Sequence, residues 1–242
     1  IMVDAKLESM PLRQSCLLFL GLGGVAFLLS TVGTPWITRT FEISKTSSMM
    51  GTGALLFAVL TIVAAAMYSH EGRSFTWSEI KDRLRIRNIS RKDWLLVLLG
   101  VLIVDATYIG LQFTAKPIAG LFPAWLSDPY RMDTTLDQSG DYLGLVLFTG
   151  LILFNVVSEE VLWRGYALPR QELTHGRDTW WIHGLLWTGF HWFKPWDLIA
   201  LLPGALVYGW LSTRTKSMIP GLVLHIGLNG LGILLMALRV FG

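Results

Sequence analysis

The sequence predicts an all-α membrane protein, a polytopic bundle of transmembrane helices with about seven hydrophobic segments. Its 242 residues are 52% hydrophobic and only 15% charged, and their mean hydropathy is +0.51. A soluble domain usually carries about 25% charged residues, because charge keeps its surface in contact with water. The chain also contains a series of apolar runs that approach the roughly 20 residues needed to cross the hydrocarbon layer. These two observations exclude a soluble protein and a disordered one.

Composition excludes further classes of protein. Cys16 is the only cysteine, so an internal disulfide scaffold cannot form. The net charge of +3 is too small to indicate a nucleic-acid partner. The 11 tryptophans suit the aromatic belts found at membrane interfaces. We therefore expect membrane lipids as the surroundings of the chain and no nucleic acid as its partner.

The apolar runs follow one another with short connections, which predicts a single integral membrane domain over residues 1–242. The first run resembles a signal peptide, but it is long and lacks a clear cleavage site, so we expect a retained span. A short run at 180–193 is compatible with a tilted span, a re-entrant piece or an interfacial helix. The remaining predicted spans are 14–32, 49–68, 94–113, 142–166, 198–213 and 219–240.

The distribution of lysine and arginine predicts the orientation. Segment 69–93 holds seven of them, and if it lies inside and the spans alternate, the inner loops carry the larger share. We therefore expect a cytoplasmic N-terminus and a location in the cell inner membrane; everything after 180–193 inverts if that run does not cross. Stretch 79–92 is either an amphipathic helix on lipid headgroups or a solvated loop, and its narrow apolar stripe favours the loop. Segment 114–141 is expected to be an extended exterior loop.

Two adjacent carboxylates fall where a lipid-buried helix is expected. Ionisable residues inside a membrane are costly, so they are functional candidates by default. Glu160 and Arg164 stand four residues apart and share one helix face. Glu159 is turned by about 100° from Glu160 and can face something else. The alternative is a span that stops at Ser158 with these charges among the headgroups, but the apolar pattern continues beyond them.

Three more polar residues lie on the following apolar segments. His191 ends an aromatic stretch and is either a catalyst or a satisfied core residue, whereas His183 is expected at the interface. His225 and Asn229 share one helix face and are either functional or interhelical polar contacts. Asp105, near the middle of an earlier span, has no specific role. Close approach of neighbouring helices is expected at four glycines, Gly221, Gly227, Gly230 and Gly232.

Taken together, the candidate residues fall in order on three successive hydrophobic segments, and this order predicts that they converge. A carboxylate can serve as a general base, and a histidine beside it can share the proton of an attacking water. Imidazole and amide N–H groups can bind the oxyanion of a tetrahedral intermediate. The candidate catalytic set is Glu159, Glu160, Arg164, His191, His225 and Asn229.

The same motifs resemble the CPBP family of intramembrane proteases, which includes the CAAX prenyl endopeptidases of the Rce1 type and the bacterial Abi proteins. The resemblance covers about residues 150–232, within a motif-bearing core of about 142–240. One departure is visible, because the second motif usually begins with Phe and Trp187 stands there instead. We interpret this exchange of one large aromatic for another as a matter of packing.

The resemblance implies an all-helical membrane core with a cavity reached from the membrane or the cytoplasmic side, and a peptide or membrane-protein substrate. It further implies a water-activating base and its helper, two oxyanion donors, and a pair that holds the site together. In this sequence these roles fall on Glu159 and His191, on His225 and Asn229, and on Glu160 and Arg164.

Several alternatives stay open. Glu159, His191 and His225 supply ligand types that suit zinc, but Asn229 is a good oxyanion donor and a poor zinc ligand, so we favour a site without a cofactor. A different hypothesis is a non-catalytic CPBP-like subunit or assembly factor of a membrane-protein complex, in which the polar cluster is structural. A transporter or channel is a third hypothesis, and the internal repeats frequent in transporters are not evident.

Overall fold

The computed structural model describes residues 7–127 and 140–241, apart from the side chain of Lys116. Within these ranges the chain folds into helices and contains no strand, which confirms the all-α fold class. The first helices are α1 (Leu12–Leu28), continued by a π-helical turn (Leu29–Gly33) into α2 (Thr34–Phe41), then α3 (Lys45–His70), α4 (Trp77–Arg83), α5 (Arg91–Ala119) and α6 (Ala124–Ser127). The remaining ones are α7 (Tyr142–Glu160), continued by a second π-helical turn (Val161–Ala167) into α8 (Leu168–His175), then α9 (Thr179–Phe190), α10 (Leu198–Thr215) and α11 (Ile219–Phe241).

The described helices include five stretches that are long and apolar enough to cross a membrane. They are Leu12–Phe41, Lys45–His70, Arg91–Ala119, Tyr142–Phe193 and Ile219–Phe241. Two of the predicted segments, 142–166 and 180–193, fall within one of these stretches, and α10 is not among the five. The polytopic bundle and its integral membrane character are therefore confirmed, and the number seven is approximate.

Segment 114–141 differs from the expected extended loop at its beginning. Helix α5 continues to Ala119 and includes Pro117, and the short helix α6 follows. The rest of the expected loop, residues 128–139, lies outside the described residues.

The outer faces of the long helices carry apolar side chains with large exposed fractions. On α5, Leu95, Leu98 and Leu102 are 57–67% exposed, and Leu143 on α7 is 70% exposed. In water such surfaces would be costly, whereas lipid tails satisfy them. The backbone of each helix satisfies its own polar groups, as a segment surrounded by lipid requires.

The interior contains two apolar clusters that meet at one stacked pair of rings. The first includes Phe19, Leu60 and Trp187, and the second includes Val104 and Tyr208. The rings of Trp187 and Tyr208 stack with their centroids 5.3 Å apart. Helix α7 packs against α3 and α11, and α10 packs against α9 and α5. The polar residues of α7, α9 and α11 are therefore brought to the place where the clusters meet.

The basic segment after α3 folds back onto the bundle. Arg83 is 5% exposed, pairs with Glu71 at 2.6 Å and donates to the carbonyl oxygens of Gly165 and Tyr166. The expectation of a fully solvated loop at 79–92 was therefore wrong for its first part, because buried carbonyls and a carboxylate compensate this guanidinium.

The loops expected on one side of the membrane lie together at this end of the bundle. Arg85 and Lys216 both pair with Glu172 at 2.9 Å, and Arg214 pairs with Asp93 at 3.1 Å. We call this end, with Glu71, Arg83, Arg85, Asp93, Arg170, Glu172, Arg214 and Lys216, the basic end.

Candidate active site

The two adjacent glutamates lie at the junction of α7 with the second π-helical turn. Glu159 is 4% exposed and Glu160 has no exposed surface, and the helix continues through both. The alternative of a span ending at Ser158 was therefore wrong. Glu159 lines a cavity, whereas Glu160 points away from it into packed protein, as the rotation of about 100° between neighbours on a helix requires.

Glu160 joins two helices through a single oxygen. Its Oε1 accepts hydrogen bonds from Arg164 Nη1 at 2.8 Å and from His225 Nδ1 at 2.9 Å. The Arg164 guanidinium also lies over the rings of Trp187, at 4.5 Å, and Tyr208, at 4.8 Å. A carboxylate buried without these cations would be strongly destabilising. The group therefore holds α11 against α7.

Gly221 makes room for this ion pair. A Cβ atom at this position would collide with Glu160 Oε2, which is held in place through the bonds of its neighbouring oxygen. A Cβ at Gly227 would lie 2.8 Å from Val101 Cγ1. At Gly230 and Gly232 a Cβ would meet no described atom within 4 Å. Close helix approach was therefore expected correctly at the first two glycines and wrongly at the last two.

Both carboxylate oxygens of Glu159 accept hydrogen bonds from neutral donors. Asn155 Nδ2 donates to Oε1 and Trp187 Nε1 donates to Oε2, each at 2.8 Å. Asn229 Nδ2 in turn donates to Asn155 Oδ1 at 3.0 Å. This chain of bonds links α11, α7 and α9, and it fixes the plane of the carboxylate.

The two histidines present different nitrogens to the cavity. His191 Nδ1 donates to the Trp187 carbonyl oxygen at 2.9 Å, so Nε2 of the neutral ring carries the lone pair. His225 uses Nδ1 for Glu160, and its Nε2 has no partner among the described residues. The Trp187 ring touches both, with centroid distances of 4.9 Å to His191 and 5.9 Å to His225.

A cavity of about 380 Å³ brings four of the six candidate residues to one space. Those four are Glu159, His191, His225 and Asn229, with Asn155 and Trp187 beside them. The cavity also reaches Thr34 and Met49. Met49 lies near the start of α3, at the end of that helix opposite the basic end. Glu160 and Arg164 stand behind the wall, and Asp105 does not line the cavity.

A second, more apolar cavity of about 1000 Å³ adjoins the first between α5, α7 and α11. The two share four lining residues, Tyr108, Ile152, Leu228 and Asn229. Tyr108 and Gln112 on this boundary donate to Asp197, at 3.4 and 2.6 Å. The polar space around Glu159 is thus continuous with a lipid-like one.

Sequence reasoning missed several of these contacts. Asn155 is an amide inside an apolar run four residues before Glu159, and the i,i+4 rule would have placed it on the same face. The Asp197 cluster carried no comparable signal, because its partners come from a distant helix. His183 was expected at the interface and is fully buried, where its Nδ1 donates to Gln171 Oε1 at 2.7 Å.

The donor geometry does not fit a metal ion. Among the residues that the structure describes, no group of three or more His, Cys, Asp and Glu side chains is arranged to hold one. The proposed zinc set uses Glu159, His191 and His225, yet both oxygens of Glu159 already accept N–H donors. His225 Nδ1 is likewise occupied by Glu160.

The fold and the site define a polytopic membrane protein whose buried carboxylates, imidazoles and amides converge on one cavity. Residues 141–231 match the family model described as type II CAAX prenyl endopeptidase Rce1-like. This match confirms the resemblance to the CPBP family over that part of the chain and supports a CPBP-type intramembrane protease. No curated protein matches the chain, and no solved structure matches it.

Proposed function

We propose that this protein is an intramembrane endopeptidase that hydrolyses a peptide bond near the membrane surface. The observation that carries the proposal is the meeting of Glu159, His191, His225 and Asn229 at one cavity inside an apolar bundle. The substrate class is a peptide or a membrane protein, and the apolar cavity beside the site suits a substrate delivered from lipid.

Water activation falls to Glu159 and His191. The Glu159 carboxylate is fixed in orientation by two donors, and a base held at a defined position is what proton abstraction requires. His191 offers a lone pair on Nε2 and shares the proton of the attacking water. The resulting hydroxide attacks the carbonyl carbon of the scissile bond.

Charge on the tetrahedral intermediate is stabilised by His225 and Asn229. Because His225 Nδ1 donates to Glu160, Nε2 carries a proton only in the imidazolium form, and the Glu160 carboxylate, which Arg164 shares, favours that cation. Asn229 has a second amide hydrogen beside the one that Asn155 accepts. Two such donors form an oxyanion site.

Collapse of the intermediate breaks the C–N bond. The abstracted proton passes to the leaving nitrogen, and the other product is a carboxylic acid that retains the oxygen of the attacking water. One water is consumed for each bond cleaved. No metal or organic cofactor takes part in these steps as proposed, and stoichiometric zinc required for activity would contradict this part of the mechanism.

The orientation is also a proposal. Lysine and arginine favour the cytoplasmic side, and the basic end gathers several of these residues on one face of the bundle. We therefore place that end and the N-terminus in the cytoplasm and the protein in the cell inner membrane.

Hydrolysis is tested with the purified chain in lipid nanodiscs. The probes are two sets of lipid-anchored peptides, one prenylated with a CAAX end and one acylated without it, incubated in water enriched in oxygen-18. We expect a new carboxyl terminus that carries the heavy oxygen, detected by mass spectrometry. Glu159→Gln should abolish its formation while leaving the yield of folded protein intact. Full cleavage by Glu159→Gln, or no cleavage of any probe by the wild type, would support the non-catalytic hypothesis instead.

A further inference from the structure

Trp187 does more at the site than pack. It is 2% exposed and lies at the centre of the polar cluster, stacked on Tyr208 and in edge contact with His191 and His225. The Arg164 guanidinium lies over its ring at 4.5 Å. Contacts on so many sides hold the indole plane in one orientation, so its N–H points in a fixed direction.

That direction ends at Glu159. The indole Nε1–H donates to Oε2 at 2.8 Å, and the acceptor is a carboxylate oxygen in a largely buried setting. Hydrogen bonds to ionised groups contribute more than neutral ones, particularly where water is scarce. Among the described residues this is the one hydrogen bond to Oε2, whereas Oε1 is held by Asn155.

The donor depends on the residue type at this position. The motif that this segment resembles usually carries Phe here, and a phenyl ring has no hydrogen to donate. Interpreting Trp187 as a simple exchange of aromatic rings therefore left out the N–H group. With Phe at 187, the ring contacts would largely remain and Oε2 would lose its partner.

We propose that Trp187 is a positioning residue for Glu159, which it holds through its indole N–H in the orientation that faces the attacking water. This inference rests on the proposed function, because it assigns Glu159 the part of the base. Asn155 fixes the other oxygen, so the two donors together define the carboxylate plane. Trp187 acts through Glu159 and does not itself touch the reacting atoms.

Loss of the donor has two measurable consequences. The carboxylate becomes free to rotate, so kcat should fall roughly 10- to 100-fold, the range expected for one charge-assisted hydrogen bond. The ionised form also loses a stabilising contact, so the acidic limb of the pH profile of kcat should move to higher pH. KM should change little. A merely structural role would not move that limb.

The test compares Trp187→Phe with Trp163→Phe in nanodiscs, using the peptide that the wild type cleaves best. Trp163 is also fully buried and stacks on Phe19 at 4.1 Å, but its Nε1 has no hydrogen-bond partner in the described part of the chain. It therefore controls for the loss of indole volume. We expect the lower kcat and the shifted acidic limb in Trp187→Phe and not in Trp163→Phe.

The outcomes separate this inference from the function it rests on. Equal kcat and equal pH profiles in the two variants, with Glu159→Gln inactive, would overturn the inference alone. An active Glu159→Gln would overturn the proposed function. If Trp187→Phe does not fold, a benzothienyl amino acid introduced at position 187 replaces the N–H by sulfur at almost unchanged shape, and the same shift in the acidic limb is expected from it.

Discussion

Glu160 and Arg164 form an ion pair of 2.8 Å in which neither side chain has any exposed surface. The carboxylate also accepts from His225 on another helix. A buried pair of this kind matters most through what happens when one partner is removed, because the remaining charge is left without compensation. The pair is therefore a requirement of the packed structure before it is a requirement of any chemistry.

Replacing Glu160 should destabilise the protein. We expect Glu160→Gln to lower the free energy of unfolding by roughly 3–5 kcal/mol, since Arg164 would remain buried without a carboxylate. The measurement is the thermal unfolding midpoint in detergent, followed by size-exclusion chromatography. Asp82→Asn is the control, because the Asp82–Arg87 pair is exposed, at 74% and 52%, and such pairs contribute little. Equal midpoints for both variants would contradict the assignment.

Gly221 should tolerate no side chain. A methyl group there would press on Glu160, which cannot swing away without giving up Arg164 and His225. We expect Gly221→Ala to reduce the yield of folded protein and to lower its unfolding midpoint. Gly230→Ala adds the same methyl group on the same helix where nothing described lies within 4 Å. A normal midpoint in Gly221→Ala would show that α11 shifts freely.

Asn229 should contribute to turnover rather than to folding. We expect Asn229→Ala to lower kcat by roughly 10²–10³-fold, the usual effect of losing one oxyanion donor, with an unchanged unfolding midpoint. Ser158→Ala serves as the control, since Ser158 adjoins Glu159 but bonds to Thr61 and the Phe154 carbonyl. Wild-type kcat in Asn229→Ala would remove Asn229 from the oxyanion site.

The proposed orientation predicts which side chains a membrane-impermeant thiol reagent reaches. In a Cys16→Ser background, Thr40→Cys at the end of α2 should be labelled from outside intact cells. Asn88→Cys, at the basic end, should be labelled only after the cells are opened. Both positions are exposed, so access to water is comparable. The reverse pattern would invert the proposed topology.

Much of the fold could be predicted from hydropathy, because a span leaves a long apolar signature. The ends of the spans were less accessible to prediction. Helix α5 runs six residues past the predicted end at 113 and includes Pro117, because polar side chains near an interface do not by themselves stop a helix. Arg83 looked solvent-exposed in the sequence, and only contacts with Gly165 and Tyr166, about eighty residues away, bury it.

The site shows the same division. Helix geometry alone separates Glu159 from Glu160 and pairs Glu160 with Arg164, because these relations lie within two turns of one helix. The bond from Trp187 to Glu159 joins residues 28 positions apart, and no local spacing rule predicts it. The choice of His225 rather than His191 as partner of Glu160 likewise depends on how α9 and α11 pack.

The π-helical turn Val161–Ala167 has a consequence for how this chain can change. Its wider turns accommodate one residue more than an α-helix of the same rise, and such turns behave like single-residue insertions. Deleting one residue within it would restore regular winding and rotate everything that follows by about 100°. Gln171 would then swing away from Ser15 and His183, while Glu159, which precedes the turn, would keep its bearing. Length in this short stretch is therefore under tighter constraint than the identity of its apolar side chains, and insertions or deletions there should be far rarer among functional variants than exchanges.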